Sequence, residues 1–332
     1  MATQQRTFKR AVAHTIFFVY ALVKNFLQAV QRKCKLMMFY QRRPLIAFLD
    51  EPIAPSIARP RVLVNISHIA PVEEAQNPQK AAYRIDRLRR TIDGLLTSFS
   101  HCNLTINVSS LPHRNVVQYL PAYQRQCIHL KLEPGCDPLY VGFRVQDELV
   151  DCVNQFDWFV FIEDDILIND GSFLDKIAAF HRHATVQDVL LPNRYEFLDG
   201  TKRYIDLTIE SEMAWNRLSA FQLGSVKFAE CMNPHSGMYC LSQAQIKYWA
   251  RSKRIWKNQI VMVGPLESAA TFCLLECFNL YKPHPNNLHY LEVQHYDTKY
   301  SKLYPEPHSP YTLTPVRIKA REARQPDLQP TV

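Results

Sequence analysis

Glycine is scarce in this chain of 332 residues: there are eight, and none falls in a Gly-x-Gly-x-x-Gly or a Walker-type phosphate-loop pattern. Those patterns let a backbone close on phosphate oxygens at the start of a helix. Without them a Rossmann dehydrogenase and a P-loop enzyme both lose their main support. Any phosphate the protein handles must then be held by a metal ion and basic side chains. Cysteine forms no framework. The nine residues, at 34, 102, 127, 136, 152, 231, 240, 273 and 277, are odd in number and scattered. Cys273 and Cys277 lie four apart on an expected helix with no second ligand pair, which suits a packed face better than a zinc site. Reduced thiols and a cytoplasmic location are the expectation. A long hydrophobic run is missing too. The best stretch, inside Phe8 to Tyr40, is interrupted by His14 and Lys24, whereas a spanning helix needs about 20 mostly apolar residues. No small-residue cleavage site follows it.

What is present suffices for one enzyme domain with appendages. The composition, 47% hydrophobic and 21% charged, can bury a large core. Residues 1–58 read as a basic helical extension followed by a linker with prolines at 44, 52, 55 and 60. The mixture of apolar and basic side chains over residues 8–40 fits an amphipathic helix lying on the cytoplasmic face of an anionic membrane. A helix packed on the catalytic domain and a single-pass signal anchor are the alternatives. The domain proper is expected over 59–304, and 305–332, with six prolines, reads as a flexible tail.

Within the domain, Arg61 to Ile69 reads as a strand, Tyr83 to Phe99 as an amphipathic helix and Leu104 to Val108 as a second strand, which together make a βαβ unit. Asn65, Asn103 and Asn107 each open an Asn-x-Ser/Thr triplet on or beside these strands, so the triplets are read as chance. Val141 to Val153 is a further amphipathic helix, delivering the chain to a strand at Trp158. There five bulky apolar residues, Trp158 to Ile162, run straight into Glu163, Asp164 and Asp165. Such a strand belongs inside a mainly parallel sheet covered by helices. Three acids cannot continue within that core, so they must emerge at the carboxyl edge, where open α/β sheets bind ligands. Alternation along the strand sends Glu163 and Asp165 to one side and Asp164 to the other. Oxygen ligands of this kind suit Mg²⁺ or Mn²⁺ carrying a diphosphate. The alternative is a solvated turn with acids near the Asn169–Ser172 helix start.

The Glu-Asp-Asp after an apolar strand resembles the metal-binding Asp-x-Asp signature of the GT-A glycosyltransferases, in a variant with Glu at its first position. The resemblance extends, through the order of the surrounding elements, over roughly residues 60 to 303. It implies a GT-A type, Rossmann-like mixed sheet flanked by helices. It implies that Asp165 ligates the metal, with Glu163 beside it and Asp164 turned toward the nucleotide sugar. It makes Ser67, His68 and Arg84 candidates for nucleotide contact, with Arg144 and Asp147 facing the sugar. Solvated arginines and an intrahelical Arg144–Asp147 pair are the alternatives. His295 is expected to close the metal site, with His289 as its competitor, and Lys302 to neutralise the diphosphate. Ser236 and Gly237 resemble the small-residue loop under the donor sugar, although Gly237 could serve only to turn the backbone.

Val189 to Glu196 repeats the pattern of an apolar strand ending in polar groups, which brings Arg194 and Glu196 to the same edge for substrate orientation or an ion pair. Glu267 stands in the first turn of the helix after Gly264-Pro265. In inverting GT-A enzymes an acid so placed takes the proton of the acceptor hydroxyl, while a purely structural acid there would offset the helix dipole. The reaction expected is transfer of a sugar from a nucleoside-diphosphate sugar to a hydroxyl of a glycan, lipid-linked or polysaccharide acceptor. The net charge of +8 suits anionic donors and membrane surfaces. It also admits a two-metal nucleic-acid enzyme, although no nucleic-acid partner is expected. A carbohydrate-binding relative without turnover is the other alternative.

Overall fold

In the computed structural model the described residues are 59–205, 220–231, 234–251, 260 and 264–303. The expected basic extension and tail lie outside them, as do residues 259 and 261–263 ahead of Gly264. Among the described residues no helix is long and apolar enough to cross a membrane.

The strands β1 (Arg61–Ser67), β2 (Asn103–Ser110), β3 (Ile128–Leu132) and β4 (Trp158–Glu163) form a parallel sheet in the order β4-β1-β2-β3. Farther along the chain, β11 (Met238–Ser242) adds antiparallel to β4 at its outer edge. The chain is therefore an α/β protein with a mainly parallel, Rossmann-like sheet. Side-chain alternation along β1 divides its residues between the two faces. Val62, Val64 and Ile66 share one buried cluster with Leu88, Ile92, Leu95 and Phe99 of the long helix (Ala82–Ser98) and its end. Asn65, on the opposite face, donates to Val145 O at 3.4 Å and to Glu148 at 3.0 Å, both on the helix Val141–Asp151. Asn107 reaches the same Glu148 at 2.8 Å, so two of the three Asn-x-Ser/Thr asparagines are buried structural donors.

Numbered in chain order, the helices used below are α1 (Ala82–Ser98), α2 (Val141–Asp151), α3 (Phe173–His181), α4 (Gln243–Arg251), α5 (Pro265–Ala270) and α6 (Lys299–Leu303). Two four-stranded sheets adjoin the first. One contains β5 (Ile166–Leu167), β13 (Glu292–His295), β7 (Asn193–Leu198) and β8 (Thr201–Tyr204), in that order. The other contains β6 (Asp188–Leu190), β12 (Asn279–Pro283), β10 (Val226–Glu230) and β9 (Ala220–Leu223).

The single strand expected from Val189 to Glu196 is in fact two, β6 and β7, belonging to different sheets. Pro192 lacks an N–H and so interrupts any ladder. On either side of it, Leu191 N bonds Tyr281 O at 2.8 Å and Asn193 N bonds Leu291 O at 3.0 Å, which hands the chain from one sheet to the next. The helix expected around Cys273 and Cys277 is a short 3-10 turn, Phe272–Glu276, with the Cys273 thiol buried. Cys102, Cys127, Cys136, Cys152, Cys240 and Cys273 are thiols outside any disulfide.

Candidate functional site

β4 ends at Glu163, the chain turns through Asp164 and Asp165, and β5 begins at Ile166 in a different sheet. The three acids therefore occupy a junction between sheets, and each meets different neighbours.

Asp164 is buried and fully engaged. One oxygen accepts from Arg87 at 2.6 Å and the other bonds His68 Nδ1. His68 is itself fully buried, and its Nε2 accepts from Val116 N at 3.2 Å, which puts the ring proton on Nδ1. Thr91 Oγ1 donates to the Asp164 carbonyl at 3.1 Å. With both ring nitrogens and both carboxylate oxygens bonded, His68 and Asp164 hold the turn in place.

Asp165 is held by its backbone, whose carbonyl accepts from Tyr296 N at 2.7 Å. Its Oδ2 lies 3.6 Å from His295 Nε2 and 3.5 Å from Arg87, while Oδ1 is buried with no hydrogen-bond partner. An orphaned carboxylate oxygen is costly and points to a missing partner. His295 is aimed by Glu196, which accepts from His295 Nδ1 at 2.7 Å and from the N–H groups of Tyr300 and Ser301 at 3.3 and 2.7 Å. Burial lowers the pKa of His295, but Asp165 and Glu196 more than reverse that and push it up to about 9. The imidazole must shed that proton before it can ligate a metal. For Asp165, burial opposes ionisation, yet His295, Arg87 and Arg194 outweigh it and hold the carboxyl below its usual range.

Glu163 faces the opposite situation. Burial and the charge of Asp165 push its pKa up, only partly countered by Arg194 and His295. Its backbone N–H donates to Gly237 O at 2.9 Å, and a Cβ on Gly237 would come within 2.8 Å of Glu163 Oε2 and of Ile166. With φ at +63°, Gly237 is a residue that only glycine suits, for the turn and for the close approach. The alternation read from the strand holds: Glu163 and Asp165 both lie within electrostatic reach of Arg194 and His295, and Asp164 turns toward the end of β1 and α1.

Among the remaining expected residues, Ser67 pairs with Glu163 across β1 and β4. Arg194 is buried, with its guanidinium 5.6 Å from the centre of the Tyr300 ring. Ser236 is buried and donates to Pro192 O at 2.9 Å, so it braces the turn before Gly237. Arg84 bonds Glu74 at 2.8 Å and Ile69 O at 3.1 Å, tying α1 to the loop before it. Arg144 and Asp147 pair with each other at 3.1 Å along one helix face. Lys302 is exposed in the last turn of α6. Glu267 does stand in the first turn of α5, half-buried, but no hydrogen bond or ion pair among the described residues joins it to residues 163–165. His289 is exposed, away from the role given to His295.

Sequence reasoning missed Arg87. Tyr83, Arg87, Thr91, Gly94 and Ser98 recur at helical spacing and form the α1 face toward the acid turn. Beyond the bonds above, Ser98 Oγ donates to Ile168 O at 3.0 Å, and a Cβ on Gly94 would lie 2.6 Å from that same oxygen. This stripe is polar, so a search for apolar periodicity passes over it.

Asp165 and His295, with Glu163 nearby, are the groups that could hold a divalent cation. No group of three or more His, Cys, Asp or Glu residues among those described is disposed to hold one by itself. The donor chemistry fits a cation of the kind that takes one or two protein carboxylates and completes its shell with phosphate oxygens and water. The histidine follows the usual rule that a ligating imidazole gives its other N–H to a carboxylate.

No protein-family model matches the chain, and no curated protein matches it. Among solved structures, it is similar to a mannose-1-phosphate geranyltransferase from Thermus thermophilus, at 10% identity over 67% of this chain and 73% of that one, with a TM-score of 0.38. It is also similar to a provisionally assigned glucose-1-phosphate thymidylyltransferase from Bacillus anthracis in complex with a sucrose, at 12% identity over 81% of this chain and 98% of that one, with a TM-score of 0.34. At such scores neither likeness carries an argument about this chain.

Proposed function

We propose that the protein transfers a sugar from a nucleoside-diphosphate sugar to a hydroxyl acceptor, with Mn²⁺ or Mg²⁺ at the acid turn. The observation that carries the reading is the trio of Asp165 with its bare buried oxygen, His295 Nε2 at 3.6 Å, and Glu196 fixing the other side of that imidazole at 2.7 Å. The loop after β1, residues 68–81, has no glycine, so no glycine-rich phosphate cradle is available there. That charge falls instead to a cation and to arginines. When bound, the cation would neutralise the departing diphosphate.

Asp165 and His295 would hold the cation, with Glu163 as the third donor. Arg87 and Arg194 flank the same carboxylates and would meet phosphate oxygens from either side, as guanidinium groups do well. Gly237 leaves Glu163 the space its side chain needs, and Glu196 keeps His295 in one orientation. Glu267 is the proposed general base, which would take the acceptor's proton as its oxygen attacks the anomeric carbon, giving inversion. Its place in the first turn of α5 supports that role. The basic amphipathic stretch at 8–40 would bring the enzyme to an anionic membrane carrying a lipid-linked acceptor.

The test is Mn²⁺-dependent transfer and hydrolysis over a panel of nucleotide sugars. Turnover that disappears in Asp165→Ala and falls sharply in Glu267→Gln supports the reading. Release of pyrophosphate from a nucleoside triphosphate and a sugar 1-phosphate would replace it with nucleotidyl transfer. Metal-dependent cleavage of DNA or RNA would replace it with a nucleic-acid enzyme, and nucleotide-sugar binding without turnover would leave a binding protein. Nearly unchanged activity in a folded Glu267→Gln variant would remove the base and reopen a retaining mechanism.

A further inference from the structure

Tyr83 is a large aromatic side chain left 54% exposed at the start of α1. It sits four residues before Arg87, on the same helix face, and so about 6 Å farther along the axis from the arginine that grips Asp164 and approaches Asp165. Its ring is stacked on Tyr296, with centroids 6.0 Å apart and planes 15° from parallel, and its hydroxyl donates to Tyr296 O at 2.6 Å. Tyr296 is itself anchored. Its N–H donates to Asp165 O, its hydroxyl donates to Asp86 at 2.8 Å, and Arg90 lies 5.1 Å from its ring centre. The platform is thus rigidly tied to the acid turn by the backbone of a residue adjacent to His295.

Its rim carries both signs. Asp86 accepts from Arg89 at 2.6 Å, from Arg90 at 2.8 Å and from Tyr296. Asp297 accepts from the N–H groups of Thr298 and Lys299 at 2.6 and 3.1 Å. A flat exposed ring bordered by carboxylates and guanidinium groups matches a pyranose, whose C–H face lies on an aromatic ring while its hydroxyls donate to and accept from the border.

We propose that Tyr83, supported by Tyr296, is a stacking site for a neutral sugar ring of the acceptor. This rests on the sugar-transfer reading above and names its acceptor as a glycan. Four free disaccharides, lactose, cellobiose, mannobiose and N,N′-diacetylchitobiose, would be titrated into the full chain under saturation-transfer NMR, with UDP and GDP alongside. At least one disaccharide should take saturation through its ring C–H protons in the wild type, in Tyr83→Phe and in Asp165→Asn. In Tyr83→Ala its affinity should fall about tenfold, the loss expected when an aromatic contact is removed, with UDP and GDP signals unchanged.

The Phe and Ala variants both lose the bond to Tyr296 O, so their difference reports the ring alone. Equal sugar binding in the wild type and Tyr83→Ala, or none in the wild type, overturns the proposal. So does loss of the base-proton signals of UDP or GDP in Tyr83→Ala. Sugar binding that depends on Tyr83 in a chain without metal-dependent turnover would keep this site while the transfer reading falls.

Discussion

Arg87 donates to Asp164 at 2.6 Å, and this bond decides which of the three consecutive acids is left for a ligand. Burial disfavours the charge on Arg87, but Asp164 and Asp165 together more than compensate and raise its pKa. Asp164 spends both oxygens on Arg87 and His68, and Asp165 keeps one bare.

Asp164 and Asp165 should therefore respond in opposite ways to neutral replacement. Asp164→Ala leaves Arg87 as a buried charge without its main partner, at a cost of about 3–5 kcal/mol. The midpoint of urea unfolding reads this directly. Asp165→Asn should cost far less stability and should abolish Mn²⁺ uptake measured by calorimetry. If Asp165→Asn unfolds the protein and Asp164→Ala does not, the assignment of the two acids is reversed.

Glu196→Gln preserves the volume of the side chain but changes what His295 Nδ1 meets. Loss of such an outer carboxylate costs roughly 10–100-fold in metal affinity at ligating histidines. Mn²⁺ titration followed by electron paramagnetic resonance should show a drop in that range. An unchanged affinity would exclude His295 as a ligand.

Gly94→Ala sets two effects against each other. Alanine favours a helix interior over glycine by about 1 kcal/mol. Here, however, the new Cβ would lie 2.6 Å from Ile168 O, a backbone atom that cannot swing aside. Overpacking of this sort costs about 1–3 kcal/mol, so the variant should melt at a lower temperature than the wild type. A raised melting temperature would mean that α1 does not press on the segment after the acid turn.

His181 supplies a pH dependence independent of the acid turn. It is buried against Phe180 and Trp158, and burial pushes its pKa down from 6.5 to about 4. The fold favours the neutral ring, so its contribution is complete above pH 6.5 and is lost as pH falls from there toward 4. The whole window is on the order of 3 kcal/mol. His181→Phe should flatten that part of the stability profile, measured by chemical denaturation at pH 7, 6, 5 and 4. A slope of the same size in the variant would place the acid sensitivity elsewhere.

The order and direction of the main elements were legible in the residues. The run Trp158 to Ile162 could only be a strand buried on both faces, and three carboxylates directly after it had to lie at an edge. Alternation alone separated Asp164 from Glu163 and Asp165. The strand expected from Val189 to Glu196 ran through Pro192, which breaks it. Nothing in Val189 to Glu196 says that its two halves belong to different sheets, because their partners, Tyr281 and Leu291, lie about a hundred positions away in the chain.

Local pattern was enough to gather the acids at the carboxyl end of β4, because apolar periodicity and the cost of burying charge act over a few residues. Which acid is structural and which is available was settled by distant parts of the chain. That choice depends on His68 and Arg87 arriving from one side and on Glu196, Arg194 and His295 arriving from the other. Those contacts close only when β13 pairs with β5 and α1 settles on the sheet, and such long-range juxtapositions leave no trace in any short stretch of residues.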